Sequence, residues 1–412
     1  MESRGWNPLS QGRYAEGMSQ EEQPHVGALV SRRDPSGLLF LGTTFSPIFF
    51  TVIFVLLGVR AAAEDIARLP EFSPQALMAH VKFLAGEELE GRGAGTRGER
   101  IAALYAATRM EAAGVPAPAW GRYQRFPLSS PPGKAQADSL NVFGWIDGRD
   151  PGMKGEWIVL GAHMDHLGAD KQGADKQGAD KQGAGEHGAD KQGFFPGAED
   201  NASGVAVLLE IAAALARDRE GLGRAVLIVF FGSEEASIAG SRHFVKNCPG
   251  NLREIAAMIN VDSIGRPLAD KKPLAPLKKL LGFEDRKTLG VVGALERPLF
   301  CEIVEEATKQ AGIECFGTRN LPLVSSIVEN LAKHRSDNGP FEEAGIPTLF
   351  FGSGESDDYH LHTDTPDKLD GEILALRARA IHATLVALSR VPREKLPKGE
   401  GPRPRPESRP SD

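Results

Sequence analysis

The stretch EWIVLGAHMD, residues 156–165, runs from an almost continuous apolar segment directly into an imidazole and a carboxylate. A short apolar run rich in Ile, Val and Leu predicts a strand that is buried on both faces of a sheet. The runs AVLIVFF (225–231) and IAAMINV (255–261) repeat the pattern, and acidic residues follow both. Segments with apolar residues at helical spacing separate these strands. The alternation predicts an α/β fold, a single domain whose mixed, mostly parallel central sheet has helices on both faces.

The same periodicity places the other elements along the chain. Helices are predicted at 73–85, 97–113, 201–217, 237–246, 299–311 and 371–388. Strands are predicted at 139–146, 156–162, 225–231, 255–261, 289–294 and 347–351. The first two of these strands are expected to be neighbours in the sheet. In such sheets ligands bind beyond the carboxyl ends of the strands, so functional polar residues are expected just after each strand.

The two ends of the chain differ in composition from the part between them. Residues 1–63 are expected to be a leader, because an apolar run at 38–59 follows two arginines and precedes three alanines. This arrangement is typical of an export signal, and an uncleaved signal anchor in the membrane is the alternative. Translation from Met18 would shorten the leader. Residues 392–412 are Pro-rich and are expected to be a disordered tail. Residues 64–391 would then be the exported domain, secreted or periplasmic.

The composition argues against some partners and some kinds of metal site. The 412 residues carry a net charge of −7, whereas proteins that bind nucleic acid usually present a basic face. The three cysteines include no C-x-x-C pair and form no disulfide framework. If a metal ion binds, histidine and carboxylate side chains must hold it.

Residues 168–193 consist of near-copies of the polar pentapeptide GADKQ. Each copy pairs an acidic with a basic residue and has no large apolar side chain, so the segment cannot bury a core. One degenerate copy contains His187, the only candidate zinc donor among the copies. Because the cost of closing a loop rises slowly with its length, we expect a flexible insertion beside the site rather than a metal-binding array.

Histidines and acidic residues recur where the predicted strands end. They are HMD at 163–165, EDN at 199–201, SEE at 233–235, Asp262, and DDYHLHTDT at 357–365. Imidazole and carboxylate are the ligands that zinc takes where thiolates are absent, and a dication would neutralise carboxylates that otherwise repel one another. For single residues there are structural alternatives: Asp200 could cap the following helix, and His163 could be a hydrogen-bonded core histidine.

Six motifs occur in an order that resembles one family. They are AHMDH, PGAEDNASGVA, FGSEE, NVDSIG, GIPTLFF and YHLHTDTPDKL, and the likeness extends over residues 72–388. The chain resembles the co-catalytic di-zinc aminopeptidases, which are zinc exopeptidases like the bacterial leucyl aminopeptidases and are related to the glutaminyl cyclases. In KHRSDNGPF, Asn338 stands where the family often has histidine, which leaves a substrate contact there in doubt.

The resemblance implies two zinc ions and a role for each matching residue. His163 and Asp262 would bind one zinc, Glu235 and His360 the other, and Asp200 would bridge both. Glu234 would be the general base. Asp165, two residues after His163, is expected to accept the N–H of the other ring nitrogen of that histidine. His362 is the rival of His360, and His166 and His334 are expected to be bystanders.

Three functions agree with these features. The first is an aminopeptidase that hydrolyses N-terminal residues from peptides by a water activated between two metals. The second is a cyclase of N-terminal glutamine with a single zinc, which the complete set of five ligands disfavours. The third is an ectodomain without turnover, which the retention of every ligand and the base disfavours. Peptides are the expected partners, and contact with a membrane is expected only through an uncleaved anchor.

Overall fold

The computed structural model describes residues 69–129, 137–169, 193–219, 221–268, 288–318, 335–399 and 401. The predicted leader, residues 170–192 of the insertion, His334 and most of the predicted tail lie outside these residues. Within them, no helix combines the length and the apolar character that a membrane span requires.

The described residues contain one sheet of eight strands. The strands are β1 Tyr123–Pro127, β2 Asp138–Ile146, β3 Trp157–His163, β4 Ala225–Phe231, β5 Ile255–Val261, β6 Thr288–Val292, β7 Glu314–Phe316 and β8 Thr348–Gly352. Their order is β1-β2-β4-β3-β5-β8-β6-β7. The central strands β4, β3, β5 and β8 are parallel, and β2 and β6 flank them antiparallel. The four central strands therefore present their carboxyl ends along one edge.

Seven α-helices are described. They are α1 Pro74–Leu84, α2 Arg97–Ala112, α3 Ser203–Arg217, α4 Ala239–Lys246, α5 Pro298–Ala311, α6 Asn338–Glu343 and α7 Gly371–Ser389. Side-chain caps fix several helix starts: the Ser73 hydroxyl accepts from the N–H of Ala76, and the Asp370 carboxylate accepts from the N–H groups of Glu372 and Ile373. Each cap satisfies a backbone donor that has no partner inside the helix.

Helices cover both faces of the sheet, as the sequence predicts. On β4, alternate residues enter two different cores because successive side chains of a strand point to opposite faces. Val226, Ile228 and Phe230 pack with α1, α2, α3, α5 and α7. Leu227, Val229 and Phe231 pack with Phe244 of α4 and Phe341 of α6. The predicted α/β class with a mixed, mostly parallel sheet is confirmed.

The predicted adjacency of the first two strands is wrong. Strand β4 lies between β2 and β3 and pairs with both, so that β2 is antiparallel to β4 and β3 is parallel to it. Apolar periodicity identifies a strand but carries no information about its neighbours in space. Three further elements were not predicted, because their apolar patterns are too short or too weak. They are the polar strand β1, the three-residue strand β7 and the six-residue helix α6.

The two ends of the repeat insertion meet at a fixed point of the fold. Ala169 and Phe194 form an antiparallel bridge, and the N–H of Phe195 donates to the carbonyl of Gly168 at 3.0 Å. The N–H of Gly168 in turn donates to the carbonyl of Gly91. Gly91 has φ +70°, and a Cβ atom there would lie 2.5 Å from the carbonyl oxygen of Phe195. Only glycine fits this anchor.

The guanidinium of Arg92 binds the backbone on both sides of the repeat insertion. It is buried and donates to the carbonyls of Met164, Pro196 and Gly197, at 2.8 to 2.9 Å. These residues lie on either side of the insertion. The backbone before and after the repeats is therefore fixed by contacts that do not include the repeats.

Replacement of residues 170–192 by a short Gly-Ser turn is expected to leave the fold intact. Because the anchor residues already meet, shortening the loop to roughly four residues lowers its closure entropy cost by about 1.5 kcal/mol. Thermal unfolding should show a midpoint equal to that of the full chain or a few degrees higher. Gly91→Ala in the full chain is the control, since it disturbs the anchor and should lower the midpoint. A lower midpoint for the shortened chain would show that the repeats contribute to folding.

Candidate metal centre

The five residues predicted to bind metal converge beyond the carboxyl edge of the central strands. His163 is the last residue of β3, Glu235 and Asp262 follow β4 and β5, His360 lies in the loop after β8, and Asp200 precedes α3. His163 and Asp200 stand at the two ends of the connection from β3 to α3, and the other three residues belong to the connections after β4, β5 and β8. The parallel arrangement of the central strands brings these connections together.

His163 faces two carboxylates. Its Nε2 lies 3.2 Å from Oδ1 of Asp200 and 3.5 Å from Oδ1 of Asp262. The Asp262 carboxylate is held in place by the hydroxyls of Ser263 and Ser336, which donate to its two oxygens at 3.1 Å. The side chains of His163, Asp200 and Asp262 form a group that could hold one metal ion.

His360 faces the other oxygen of the same aspartate. Its Nε2 lies 3.2 Å from Oδ2 of Asp200 and 3.2 Å from Oε2 of Glu235. The ring of Tyr359 stacks on that of His360, with centroids 3.8 Å apart. Asp200 thus presents one oxygen to each of two imidazoles, as a bridging carboxylate would.

Asp200 does not cap helix α3, which was the structural alternative to metal binding. The residue that caps α3 is Ala202, and the cap has no side-chain hydrogen bond. It is the Asn201 carboxamide that accepts from the N–H of Gly204, at 3.0 Å. The Asp200 carboxylate is directed to the imidazoles instead, and its peptide bond to Asn201 is cis.

These distances fit zinc better than they fit hydrogen bonds. Ligands at the corners of a tetrahedron with bonds of about 2.0–2.1 Å are about 3.3–3.4 Å apart. The N···O distances from His163 and His360 to Asp200, Asp262 and Glu235 are 3.2 to 3.5 Å. Moreover, Oδ2 of Asp200 and Nε2 of His360 are buried and have no hydrogen-bond partner among the described residues. The arrangement and chemistry of these donors match those of a zinc site.

The structure separates the two histidines that compete for one role. His360 faces Asp200 and Glu235, as described above. His362 lies elsewhere: its Nδ1 is 2.8 Å from the carbonyl oxygen of Phe194, and its ring stacks on that of Phe195.

Asp165 has partners other than the predicted one. Its Oδ1 is 3.9 Å from Nδ1 of His163, beyond hydrogen-bond range, and that nitrogen lies 3.2 Å from the backbone carbonyl of Asp165. The carboxylate instead accepts from the N–H groups of Glu234 and Glu235, at 2.9 and 3.3 Å. The reason is that the turn after β4 directs these N–H groups at Asp165, with Ser233 at φ +59°. Asp165 therefore positions the turn that carries both glutamates.

Glu234 lies in a strongly acidic environment. Burial raises the pKa of its carboxyl well above the usual range, and the charges of Asp337, Asp262 and Glu235 raise it further against the opposing effect of His163. Asp337 is fully buried, and desolvation raises its pKa to about 7. A carboxyl group with a raised pKa is suited to accept and return a proton near neutral pH.

The imidazoles neutralise part of this charge in the metal-free chain. Burial lowers the pKa of His163, but the carboxylates of Asp262 and Asp200 outweigh this effect and raise it well above the usual range. The pKa of His360 is raised to about 10 by Asp200 and Glu235, although burial opposes the rise. The same carboxylates that favour a proton on these imidazoles would favour a metal ion there, so that metal and protons compete for the site.

Two carboxylates that support the site were not identified from the sequence. Glu199 accepts from the N–H of Gly265 at 2.7 Å and from the hydroxyl of Ser353 at 2.8 Å, which joins the loops after β5 and β8. Asp364 accepts from the N–H groups of Glu199 and Asp200, at 3.0 and 3.1 Å. Their positions within the motifs EDN and HTDT were the only available signal.

Two curated relatives of this chain are aminopeptidases by name. The probable lipoprotein aminopeptidase LpqL of Mycobacterium tuberculosis is 28% identical over 208 residues, which are 45% of this chain and 38% of the relative. Aminopeptidase YwaD of Bacillus subtilis is 27% identical over 215 residues, 50% of this chain and 40% of the relative. The chain spans about two fifths of the length of these relatives.

Solved structures share the fold over most of the chain. A zinc aminopeptidase from Bacillus subtilis aligns with a TM-score of 0.54 at 16% identity, covering 80% of this chain and 98% of the other. A Zn-dependent exopeptidase from Parabacteroides distasonis aligns with a TM-score of 0.52 at 17% identity, covering 77% and 99%. At this identity the likeness concerns the fold.

The sequence profile of one family covers more than half of the chain. Peptidase family M28 matches residues 141–385, a range that contains all five predicted metal ligands and Glu234. On this evidence, together with the shared fold, the chain belongs to peptidase family M28.

Proposed function

We propose that this chain is a zinc-dependent aminopeptidase that removes N-terminal residues from peptides. In this proposal His163 and Asp262 would hold one zinc ion, Glu235 and His360 would hold a second, and Asp200 would bind both. The observation that carries it is the position of Asp200, a buried carboxylate whose two oxygens face two different imidazoles. Membership of a peptidase family and the aminopeptidase names of relatives support the same activity.

The protein groups around the site suit hydrolysis of an amide. When bound, zinc lowers the pKa of a coordinated water and polarises a carbonyl group. Glu234 accepts a proton from the attacking water and passes it to the amine nitrogen that leaves. Its backbone is held for this role by the bond from its N–H to Oδ1 of Asp165. Burial and the surrounding carboxylates raise its pKa, which makes it a stronger base towards the attacking water.

The choice between one zinc and two separates this proposal from the cyclase alternative. Each imidazole has its own second carboxylate, Asp262 for His163 and Glu235 for His360. Two complete half-sites that share Asp200 favour two ions and therefore hydrolysis. The relatives described above are named as peptidases, which gives the cyclase no support.

We further propose that the protein is exported. The apolar run at 38–59 and the lipoprotein name of the LpqL relative support export, with membrane contact only through the N-terminal segment. The peptide substrates would then be extracytoplasmic.

Glu234→Gln is expected to abolish most turnover and to leave zinc binding unchanged. Removal of a general base lowers kcat by about 10²–10⁴-fold, and Gln keeps the size of the side chain. Hydrolysis of aminoacyl p-nitroanilides and zinc content by mass spectrometry should be measured on the same samples. Glu235→Gln is the matched control at the adjacent position and should lose zinc as well as activity. Unchanged turnover in Glu234→Gln would exclude this residue as the base.

Removal of metal is expected to make the stability of the protein fall as the pH rises. The pKa values of Glu199 and Asp337 are raised to about 7, mainly by burial, whereas unfolded carboxyl groups ionise near pH 4. Between about pH 4.5 and 7 the folded chain therefore binds more protons than the unfolded chain, and its stability decreases with pH. Asp200, whose pKa is lowered, loses its stabilising effect only below this window.

Thermal unfolding at pH 5.5 and 7.5, with chelator and with zinc, checks this expectation. The chelated protein should unfold at a lower temperature at pH 7.5 than at pH 5.5. Zinc should raise the midpoint most at pH 7.5, because fewer protons then compete for the ligands. A chelated protein that is at least as stable at pH 7.5 would contradict the assigned burial of these carboxyl groups, and no effect of zinc would contradict the metal site.

A further inference from the structure

His166, expected from the sequence to be a bystander, lies inside the cluster. Its side chain is buried, with 1% of its surface exposed. Its Nδ1 is 2.9 Å from Oε1 of Glu235 and 3.8 Å from Oδ2 of Asp200. The Glu235 carboxylate therefore has an imidazole on each side, because its other oxygen faces His360.

His166, Asp200 and Glu235 offer ligand atoms close enough together to hold a metal ion, but the length of the His166 contact favours a hydrogen bond to Glu235. The contacts of His163 and His360 with carboxylates are 3.2 to 3.5 Å long, the spacing of two ligands on one zinc. At 2.9 Å, the contact of His166 has the length of an N–H···O⁻ hydrogen bond. The contact between His166 and Glu235 also has the angles of a hydrogen bond, whereas Nε2 of His360 forms no hydrogen bond among the described residues.

The surroundings of the second ring nitrogen decide the tautomer. Nε2 of His166 is buried and has no hydrogen-bond partner among the described residues. A proton on Nε2 would leave a buried donor unpaired and would turn the lone pair of Nδ1 towards a carboxylate oxygen. Both effects are unfavourable, so the proton belongs on Nδ1.

Backbone contacts and close packing hold the His166 ring in one position. The N–H of His166 donates to the carbonyl of Arg92 at 3.3 Å. Gly197, at φ +60°, lies against the ring, and a Cβ atom there would be 2.5 Å from Cδ2 of His166. The guanidinium of Arg92 holds the carbonyl of Gly197 at 2.8 Å. The ring is therefore held by Arg92, which precedes the repeat insertion in the sequence, and by Gly197, which follows it.

We propose that His166 is a positioning residue for Glu235. Its Nδ1–H donates to Oε1, which fixes the rotation of the carboxylate and leaves Oε2 directed towards His360 and the second metal. The inference rests on the proposed function, because it takes Glu235 to be a metal ligand. Partners that orient a metal ligand in this way typically change metal affinity by about 10–100-fold when they are removed.

Two substitutions of His166 separate donation from ligation. Asn places an amide N–H near the position of Nδ1, whereas Gln places it near that of Nε2, where it cannot reach Oε1. Zinc affinity should be measured on chelator-treated, full-length protein by competition with a chromophoric chelator. His166→Gln should lower the affinity for one of the two zinc ions by about 10–100-fold and leave the affinity for the other unchanged. His166→Asn should bind both ions nearly as tightly as the wild type.

Other outcomes overturn the proposal in distinguishable ways. Equal weakening in Asn and Gln variants would make His166 a ligand, and unchanged affinity in both would make it a bystander. A lower unfolding temperature of the metal-free variants with wild-type zinc affinity would show a structural role alone. If the wild type itself binds no zinc, the proposed function fails before this inference is tested.

Discussion

The structure depends on the neutralisation of carboxylates that the fold withdraws from water at one edge of its sheet. The groups concerned are Asp165, Asp200, Glu234, Glu235 and Asp262. Negative charges at such short range repel one another strongly in a medium of low dielectric constant, so positive charge must lie among them. Protonated His163 and His360 supply part of it, and the buried Arg92 supplies more. A pair of dications bound between the imidazoles would replace these protons and supply the positive charge in their place.

The fold creates this cluster by its topology and then holds it with backbone contacts. Parallel strands bring distant segments to one edge, and buried side chains tie the resulting loops together. Arg92 binds carbonyls on both sides of the repeat insertion, Glu199 joins two loops, and Asp364 fixes the backbone of Asp200. The 26-residue insertion at 168–193 is accommodated because the residues that anchor its ends belong to this framework.

Much of this arrangement could be predicted from the sequence, for identifiable physical reasons. The central strands are buried on both faces, so their apolar runs are unmistakable, and the carboxyl ends of parallel strands must meet. That is why the predicted ligands converge. The order of β2, β4 and β3 could not be predicted, since periodicity says nothing about pairing. The partners of Asp165 and His166 depend on the direction of single N–H groups and on the close approach of Gly197, which no pattern of residue types reveals.

The most direct test of the central claim is X-ray diffraction from zinc-loaded crystals, recorded on both sides of the zinc absorption edge. The account predicts two anomalous peaks per chain, one beside His163 and Asp262 and one beside Glu235 and His360, with Asp200 in contact with both. Absence of anomalous density among these five side chains, or zinc bound only elsewhere, would contradict it.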